Sequence, residues 1–162
     1  MYNGEVTVSS YQSVIFLGVV PEHSAMQLGE RFTAGHGRIG DVTSSIQQAL
    51  AQDRIIDITT IGRKTGQARR IEIWFHRVDG RYYITGSPGA RGWYANMLDE
   101  PDFTFHLTQS AQADLPAHAT AVLGAEKRRV LDAITAQLPG SGVTFDEQTS
   151  PLVEVDLGSI PA

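Results

Sequence analysis

Basic residues crowd around one short turn in a chain that is otherwise acidic. Four of the thirteen Lys and Arg residues fall within eight consecutive positions, namely Arg63, Lys64, Arg69 and Arg70. The turn runs from Gly62 to Gly66, so its backbone N–H groups are accessible, and Thr65 adds a hydroxyl. Bidentate guanidinium groups, an ammonium and short donors are what phosphate oxygens bind. The residue types predict a phosphate site, with a charged hairpin tip that holds no ligand as the alternative.

A glycine-rich segment from Gly86 to Gly92 lies between a predicted strand and a predicted helix. Glycines let a flat ring approach the backbone closely, and the loop amides and helix N-terminus can hydrogen-bond an anionic ring or a phosphate. Trp93 and Tyr94 open that helix, where they either flank a ring or pack in the core. The segment therefore predicts a further part of a ligand site, with a plain connecting loop as the alternative.

Other catalytic chemistries find no support in the residue pattern. The absence of cysteine excludes thiol nucleophiles, disulfides and thiolate zinc sites. The five histidines lack metal-ligand spacing, so no metal site is expected, and His76 and His106 should be surface or half-buried strand residues. Residues 35–40 fit the letters of a dinucleotide fingerprint, but no strand precedes them. The chain also has no Walker motif and no nucleophile elbow.

Length and charge limit the class of protein. The 162 residues suit one domain with a hydrophobic core, and the net charge of −5 disfavours nucleic acid and anionic membranes as partners. The longest apolar run, residues 14–20, is too short for a bilayer span, which takes about 20 residues. We therefore expect a cytoplasmic protein without a transmembrane segment.

Hydrophobic periodicity divides the chain in two. Residues 1–40 show no sustained period and are expected to form an extension of uncertain order, with one short strand at residues 14–20. The cofactor-binding domain is predicted to span residues 41–162 and to begin with a helix capped by Asp41. Four side chains of that helix should share its buried face: Val42, Ile46, Ala49 and Leu50.

Short strands dominate the predicted domain. Strands are expected at residues 55–61, 70–78, 81–85, 102–108, 112–122 and 152–157, and further helices at 93–98 and 125–138. The second strand should place Ile71, Ile73 and Phe75 in the interior, and Asp79 and Gly80 should form a two-residue hairpin turn. This pattern predicts a mainly β (α+β) protein, an antiparallel β-barrel with two or three flanking helices.

The stretch from Ile58 to Leu107 resembles the deazaflavin-dependent nitroreductase and quinone reductase family. The matching pieces are Thr59-Thr60-x-Gly62-Arg63-Lys64-Thr65-Gly66 with Arg69, the hairpin around Asp79-Gly80, and Trp93-Tyr94-x-Asn96-Met97 followed by Pro101. The first forty residues lie outside the resemblance. It implies a split β-barrel of the flavin-reductase type. It also implies coenzyme F420, a 5-deazaflavin that carries a phosphodiester and an oligoglutamate tail.

The resemblance implies cofactor contacts by position. The phosphate and tail would meet Arg63, Lys64, Thr65 and Arg69. The deazaflavin would meet Ser87, Gly89 and Ala90, and Trp93 would lie near its ring. The cofactor would carry the redox chemistry, so neither a catalytic side chain nor a metal is expected.

The function implied by the resemblance is hydride transfer from reduced F420 to an electron-poor small molecule, such as a quinone, an enone or a nitro compound. An FMN-binding oxidoreductase of the same fold and a non-catalytic module for flavin, haem or lipid are the alternatives. Some family members have C-terminal tyrosines near the substrate, whereas this chain has no Tyr after Tyr94. The acceptor, the proton donor and the oligomeric state, a homodimer included, stay open. A lipid quinone as acceptor would bring the protein to the membrane surface.

We predict that the domain folds without the N-terminal extension, because residues 1–40 lack hydrophobic periodicity. A chain that starts near Gly40 should unfold in one cooperative thermal transition, as a small domain with its own core does. Circular dichroism during heating checks this. A gradual, non-cooperative change would show that the extension completes the core.

Overall fold

The computed structural model describes residues 39–159, which contain three helices and six strands. The helices are α1 (Ile39–Gln52), α2 (Gly92–Asp99) and α3 (Gly124–Ala136). The strands are β1 (Ile55–Ile61), β2 (Ala68–Val78), β3 (Arg81–Thr85), β4 (Asp102–Leu107), β5 (Ala113–Ala121) and β6 (Leu152–Asp156). Every element predicted within this range is present, and its ends lie within two residues of the prediction.

The six strands form one closed antiparallel barrel in the order β1-β2-β3-β6-β5-β4. Strands β1 to β3 follow one another as a meander, and β4 and β5 form a hairpin. The last strand, β6, lies between β3 and β5, and a short pairing of residues 57–59 with 104–106 joins β1 to β4. The barrel confirms the predicted fold class. None of the helices between residues 39 and 159 has the length and apolar character that crossing a bilayer requires.

The turn between β2 and β3 is the predicted two-residue hairpin. Val78 pairs with Arg81, so Asp79 and Gly80 alone connect the strands. Their φ angles are 50° and 79°. A type I′ turn needs positive φ at both central positions, which Gly adopts freely and Asp tolerates better than most residues. This turn fixes the register of β2 against β3.

Hydrophobic side chains form two clusters, one inside the barrel and one on its outer face beneath α3. Strand residues fill the interior, among them Ile56, Ile58, Phe75, Ile84, Phe105 and Val153. Helices α1 and α2 pack on this cluster through Leu50 and Met97. The outer cluster joins α3 to the sheet through Val130, Leu131 and Ile134 against Tyr83 and Leu152. The barrel therefore has helices packed on more than one side.

The interior register predicted for β2 holds over only part of the strand. Phe75 is fully buried in edge-to-face contact with Phe105, with ring centroids 5.3 Å apart. Ile73 is partly buried against the same cluster. The interior placement of Ile71 is wrong, because its side chain is 38 % exposed and lines a surface cavity. The start of β2 thus forms part of a cavity wall.

Helix α1 starts earlier than predicted, at Ile39, so Asp41 lies in its first turn and is not the cap. Three of the four expected side chains are buried, but Val42 is 47 % exposed and Thr43 is buried in its place. The buried stripe therefore runs through position 43, which is one position away from the predicted one. Most of the extension, the predicted strand at residues 14–20 and residues 35–38 of the fingerprint lie outside the described residues.

The histidines on β2 and β4 are both buried, which corrects the expectation of surface or half-buried positions. The side chain of His76 pairs across the sheet with Tyr83, on the outer face that α3 covers. The ring nitrogens of His106 lie 2.7 Å from Thr59 Oγ1 and 2.6 Å from Asp114 Oδ1. Desolvation by burial lowers the pKa of His76 to about 4, and the charge of Arg54 adds to this effect.

The buried His76 should make the protein less stable as the pH falls from 6.5 towards 4. In that window the unfolded chain takes up a proton on this histidine and the folded chain does not, so unfolding is favoured by up to about 1.4 kcal/mol per pH unit. Urea unfolding at about pH 7 and about pH 5.5 measures the loss. A His76→Gln variant should lose about 1 kcal/mol less than the parent between these values. Equal losses in the two proteins would contradict the assignment.

Candidate functional site

The turn between β1 and β2 is closed tightly by its own backbone. The N–H of Gly62 donates to Gln67 O at 2.8 Å, and Gly62 O accepts from the N–H groups of Thr65 and Gly66. A Cβ on Gly62 would lie 2.7 Å from Thr65 Oγ1 and 3.3 Å from Gln67 O. A side chain at position 62 would therefore displace the Thr65 hydroxyl and press on Gln67 O. The turn therefore holds the backbone of the flanking basic residues in a fixed position.

A buried amide attaches this turn to helix α2. Asn96 is 8 % exposed, and its Nδ2 donates to Thr60 Oγ1 at 3.0 Å. Its Oδ1 accepts from the backbone N–H of Arg63 at 3.2 Å. One side chain thus bonds the end of β1 and the first basic residue of the turn. This bridge sets the distance between the turn and the helix.

A cavity of about 590 Å³ lies between the turn and the start of α2. Four cationic side chains line it: Arg63, Lys64, Arg69 and Arg91. No carboxylate lines it, and none of the four forms an ion pair with the residues that the structure describes. Arg70, by contrast, donates from Nε to Asp57 Oδ2 at 2.8 Å. The cavity therefore concentrates uncompensated positive charge.

The remaining wall of this cavity combines the polar side chains of Thr60, Thr65 and Asn96 with apolar side chains and glycine backbone. Ile71, Ala90, Trp93 and Ala95 line it. Trp93 is also part of the barrel core and packs edge-to-face on Tyr94, with ring centroids 5.8 Å apart. The first bond within α2 joins Ala95 N–H to Arg91 O, so the N–H groups at the start of the helix have no helical acceptor. An uncharged ring and an anionic group could both be bound here.

A second cavity of about 340 Å³ lies against the loop at residues 86–91. Ala90 and Arg91 line both cavities, so the two cavities adjoin at this loop. The second cavity is further lined by Gly89, Tyr94, Leu123, Lys127, Thr149 and Pro151. The structure thus divides the predicted cofactor residues. Arg63, Lys64, Thr65, Arg69, Ala90 and Trp93 meet at the main cavity, Gly89 lies on the second, and Ser87 lines neither.

Hydrogen bonds hold the segments around the second cavity. The N–H of Gly89 donates to Thr149 O at 3.0 Å, and the guanidinium of Arg91 donates to Ser87 O. Asp146 Oδ1 accepts from the N–H and the hydroxyl of Thr149, both at 2.7 Å. The Thr149 hydroxyl, followed by backbone N–H groups, holds the pKa of the Asp146 carboxyl below its usual value. The cavity is lined by fixed backbone segments.

Sequence reasoning missed three residues of these cavities: Asn96, Arg91 and Lys127. Asn96 belongs to the motif that carried the resemblance, but its bonds to the turn need the tertiary structure. Arg91 could have been found as a basic residue within the glycine-rich loop. Lys127 shares the buried face of α3 with Val130, Leu131 and Ile134. A lysine at a core position of an amphipathic helix was a signal visible in the sequence.

Solved structures of other proteins share this architecture. A protein assigned as a pyridoxamine 5′-phosphate oxidase from Listeria innocua aligns at a TM-score of 0.56 with 9 % identity, covering 72 % of this chain and 94 % of that chain. A protein of unknown function from Agrobacterium tumefaciens aligns at 0.56 with 12 % identity, covering 75 % and 56 %. An F420-H2 dependent reductase aligns at 0.49 with 24 % identity, covering 64 % and 94 %. The fold is that of the split-barrel, flavin-reductase-like proteins.

The model of the F420H(2)-dependent quinone reductase family matches residues 36–156, about three quarters of the sequence. The chain belongs to this family, and it is an F420-dependent oxidoreductase. A comparison with curated proteins found none that matches. The family assignment confirms the resemblance and the expected cofactor.

The Asn96 bridge should contribute measurably to stability. Asn96→Ala leaves the buried hydroxyl of Thr60 without its donor and the N–H of Arg63 without its acceptor. Loss of buried hydrogen-bond partners costs about 1–3 kcal/mol, and urea unfolding measures it. Gln112→Ala is the matched control, because this exposed amide donates only to Thr108 O. The control should change stability by less than about 0.5 kcal/mol. Equal effects of the two variants would contradict the role of the bridge.

Proposed function

We propose that this chain transfers hydride from reduced F420 to a quinone or another electron-poor small molecule, and that the main cavity holds the anionic part of the cofactor. One observation carries the proposal. Four cations surround a cavity of about 590 Å³ that no carboxylate lines, in a chain of net charge −5. Uncompensated cations in a concave site favour an anionic ligand and raise its local concentration.

The chemistry of these side chains fits F420. The phosphodiester and the glutamate carboxylates of this cofactor are oxygen anions, which guanidinium groups bind with two parallel hydrogen bonds. Arg63 and Arg69 supply two such groups, and Lys64 adds a point charge beside them. Thr65 Oγ1 accepts from Gln67 N–H, which leaves its own proton free to donate to the ligand. We assign these four residues to the phosphate and tail.

The boundary between the two cavities suits the ring of the cofactor. Ala90 lines both cavities and offers little side chain to obstruct a flat ring. Trp93 and Ile71 provide apolar contact next to it on the side of the main cavity. Gly89 lies on the second cavity, so a ring near Ala90 would reach it as well. Ser87 lines neither cavity and is proposed to support the loop through its bond from Arg91.

The protein contributes binding and orientation to the reaction. When bound, the reduced deazaflavin supplies the hydride. The cationic turn fixes the charged end of the cofactor, and the rigid loop at residues 86–91 limits where its ring can lie. Orientation of two reactants in one site removes much of the entropic barrier to their reaction. A quinone fits the acceptor role because its carbonyl carbons and their conjugated positions are electron-poor.

A binding titration tests the cationic site. Arg63→Ala and Arg69→Ala should each weaken the binding of oxidised F420 by about tenfold or more, since a hydrogen bond to a charged group contributes about 1.5–3 kcal/mol. The change in F420 fluorescence measures the affinity. Added salt should weaken binding by the parent protein, because it screens part of the attraction.

Arg70→Ala is the matched control, because Arg70 belongs to the same cluster but pairs with Asp57 and lies outside the cavity lining. It should change the affinity by less than about twofold, as an exposed ion pair contributes little. FMN titrated in parallel should bind more weakly than F420, because it has no oligoglutamate tail. Unchanged affinity in both cavity variants, with cooperative unfolding intact, would remove the support for this site.

A further inference from the structure

Helix α3 carries a buried lysine at a position that favours an apolar residue. Lys127 is only 7 % exposed, and it shares its helical face with Val130, Leu131 and Ile134 of the outer cluster. Its ammonium has no hydrogen bond or ion pair with any residue that the structure describes. The stem of Lys127 is therefore buried, while its ammonium meets no hydrogen-bonding or ion-pairing group within residues 39–159.

This position is unfavourable for a cation in two ways. Lysine residues are rarely this buried, and cations at buried positions are normally paired. Lys127 also lies in the first turn of α3, where the positive end of the helix dipole opposes a cation. The neighbouring Glu126 carries the negative charge that the helix dipole favours in the first turn. Its carboxylate accepts a hydrogen bond from Arg129 on the surface. A ligand oxygen that accepts from Lys127 would offset both costs.

The surroundings of Lys127 are those of a site for an apolar molecule with one polar end. Lys127 lines the second cavity, and Leu123 at its rim is 67 % exposed although it is a large apolar side chain. Tyr94 and Pro151 add further non-ionic surface. The second cavity meets the main cavity at Ala90. A molecule placed here would lie beside a ring bound at that boundary.

We infer that the second cavity binds the hydride acceptor and that Lys127 donates a hydrogen bond to its carbonyl or nitro oxygen. This assignment rests on the proposed function and adds to it the location of the acceptor. Leu123, Tyr94 and Pro151 contact the apolar body of the acceptor. Residues 148–151 also line the cavity, and hydrogen bonds between Asp146 and Ser150 stabilise this segment.

The same lysine completes the proton balance of the reaction. Reduction of a quinone to a hydroquinone needs two electrons and two protons, and a hydride brings two electrons and one proton. Negative charge develops on the product oxygen as the hydride arrives. Lys127 stabilises this charge and transfers its Nζ proton to the oxygen, then recovers a proton from water.

Acceptor binding and turnover in Lys127→Met test this inference on the full-length protein. Menadione serves as the quinone, and its affinity is measured by quenching of tryptophan fluorescence in protein saturated with oxidised F420. The variant should bind menadione about tenfold more weakly and lose at least about tenfold in kcat/KM with reduced F420. Its affinity for F420 itself should change by less than about twofold. Lys127→Arg should recover part of the loss, because it restores the donor and the charge.

Two control variants separate this role from others. Lys64→Met removes a cation from the main cavity and should weaken F420 binding. It should leave the affinity for menadione unchanged in protein saturated with F420. Arg77→Met removes an exposed cation near the β2–β3 hairpin and should leave both affinities unchanged. Weaker F420 binding with unchanged menadione binding in Lys127→Met would show that Lys127 holds the cofactor and would overturn the inference. Unchanged values for both ligands would overturn it as well.

Measuring menadione binding separately from menadione reduction keeps the two proposals distinguishable. If the parent protein binds F420 and menadione but does not reduce menadione, the proposed reaction with quinones fails. In that case, weaker menadione binding by Lys127→Met still supports the second cavity as a binding site for such rings. If the parent reduces menadione and Lys127→Met retains full kcat/KM, the proposed reaction stands and the role of Lys127 is wrong.

Discussion

The side chain of Asn96 bonds to two parts of the chain that would otherwise be independent. It accepts from the backbone of the β1–β2 turn and donates to a buried hydroxyl at the end of β1. The turn can be this compact because Gly62 has no Cβ to meet Thr65 and Gln67. Backbone geometry and one buried amide together hold the turn against the start of α2. The shape of the main cavity depends on this contact.

The charges around that cavity follow from which face of the hairpin each basic residue occupies. Arg70 lies on the outer face of β2 and pairs with Asp57 of β1. Arg69 is one residue earlier and therefore points to the opposite face, where it lines the cavity. Other arginines of the described chain, such as Arg81 and Arg129, pair with carboxylates on the surface. Leaving several cations unpaired beside one another is unfavourable without a ligand, and an anionic ligand in the main cavity would remove this cost.

Barrel topology explains why a second cavity adjoins the first. Thr85 at the end of β3 pairs with Leu152 at the start of β6, so the segments at residues 86–91 and 146–151 leave the barrel side by side. The bond from Gly89 to Thr149 and the bond from the Thr85 hydroxyl to Pro151 O join them. Helix α3 packs across the outer face of the same strands and places Lys127 at this junction. Segments about sixty residues apart in sequence thus form one wall beside the main cavity.

The sequence alone determined the features that depend on neighbouring residues. Alternating side chains gave the strands, the Asp79-Gly80 pair gave its hairpin, and the cluster from Arg63 to Arg70 indicated an anion site because its residues lie within one turn. Motif spacing also indicated the family and its cofactor. The tertiary structure alone decided what depends on distant contacts. It buried His76 under α3, exposed Ile71 in a cavity wall, separated Arg70 from the other cations and brought Asn96 and Lys127 to the two cavities. Burial and hydrogen-bond partners of this kind arise from strand order and helix packing, which no local pattern of residues encodes.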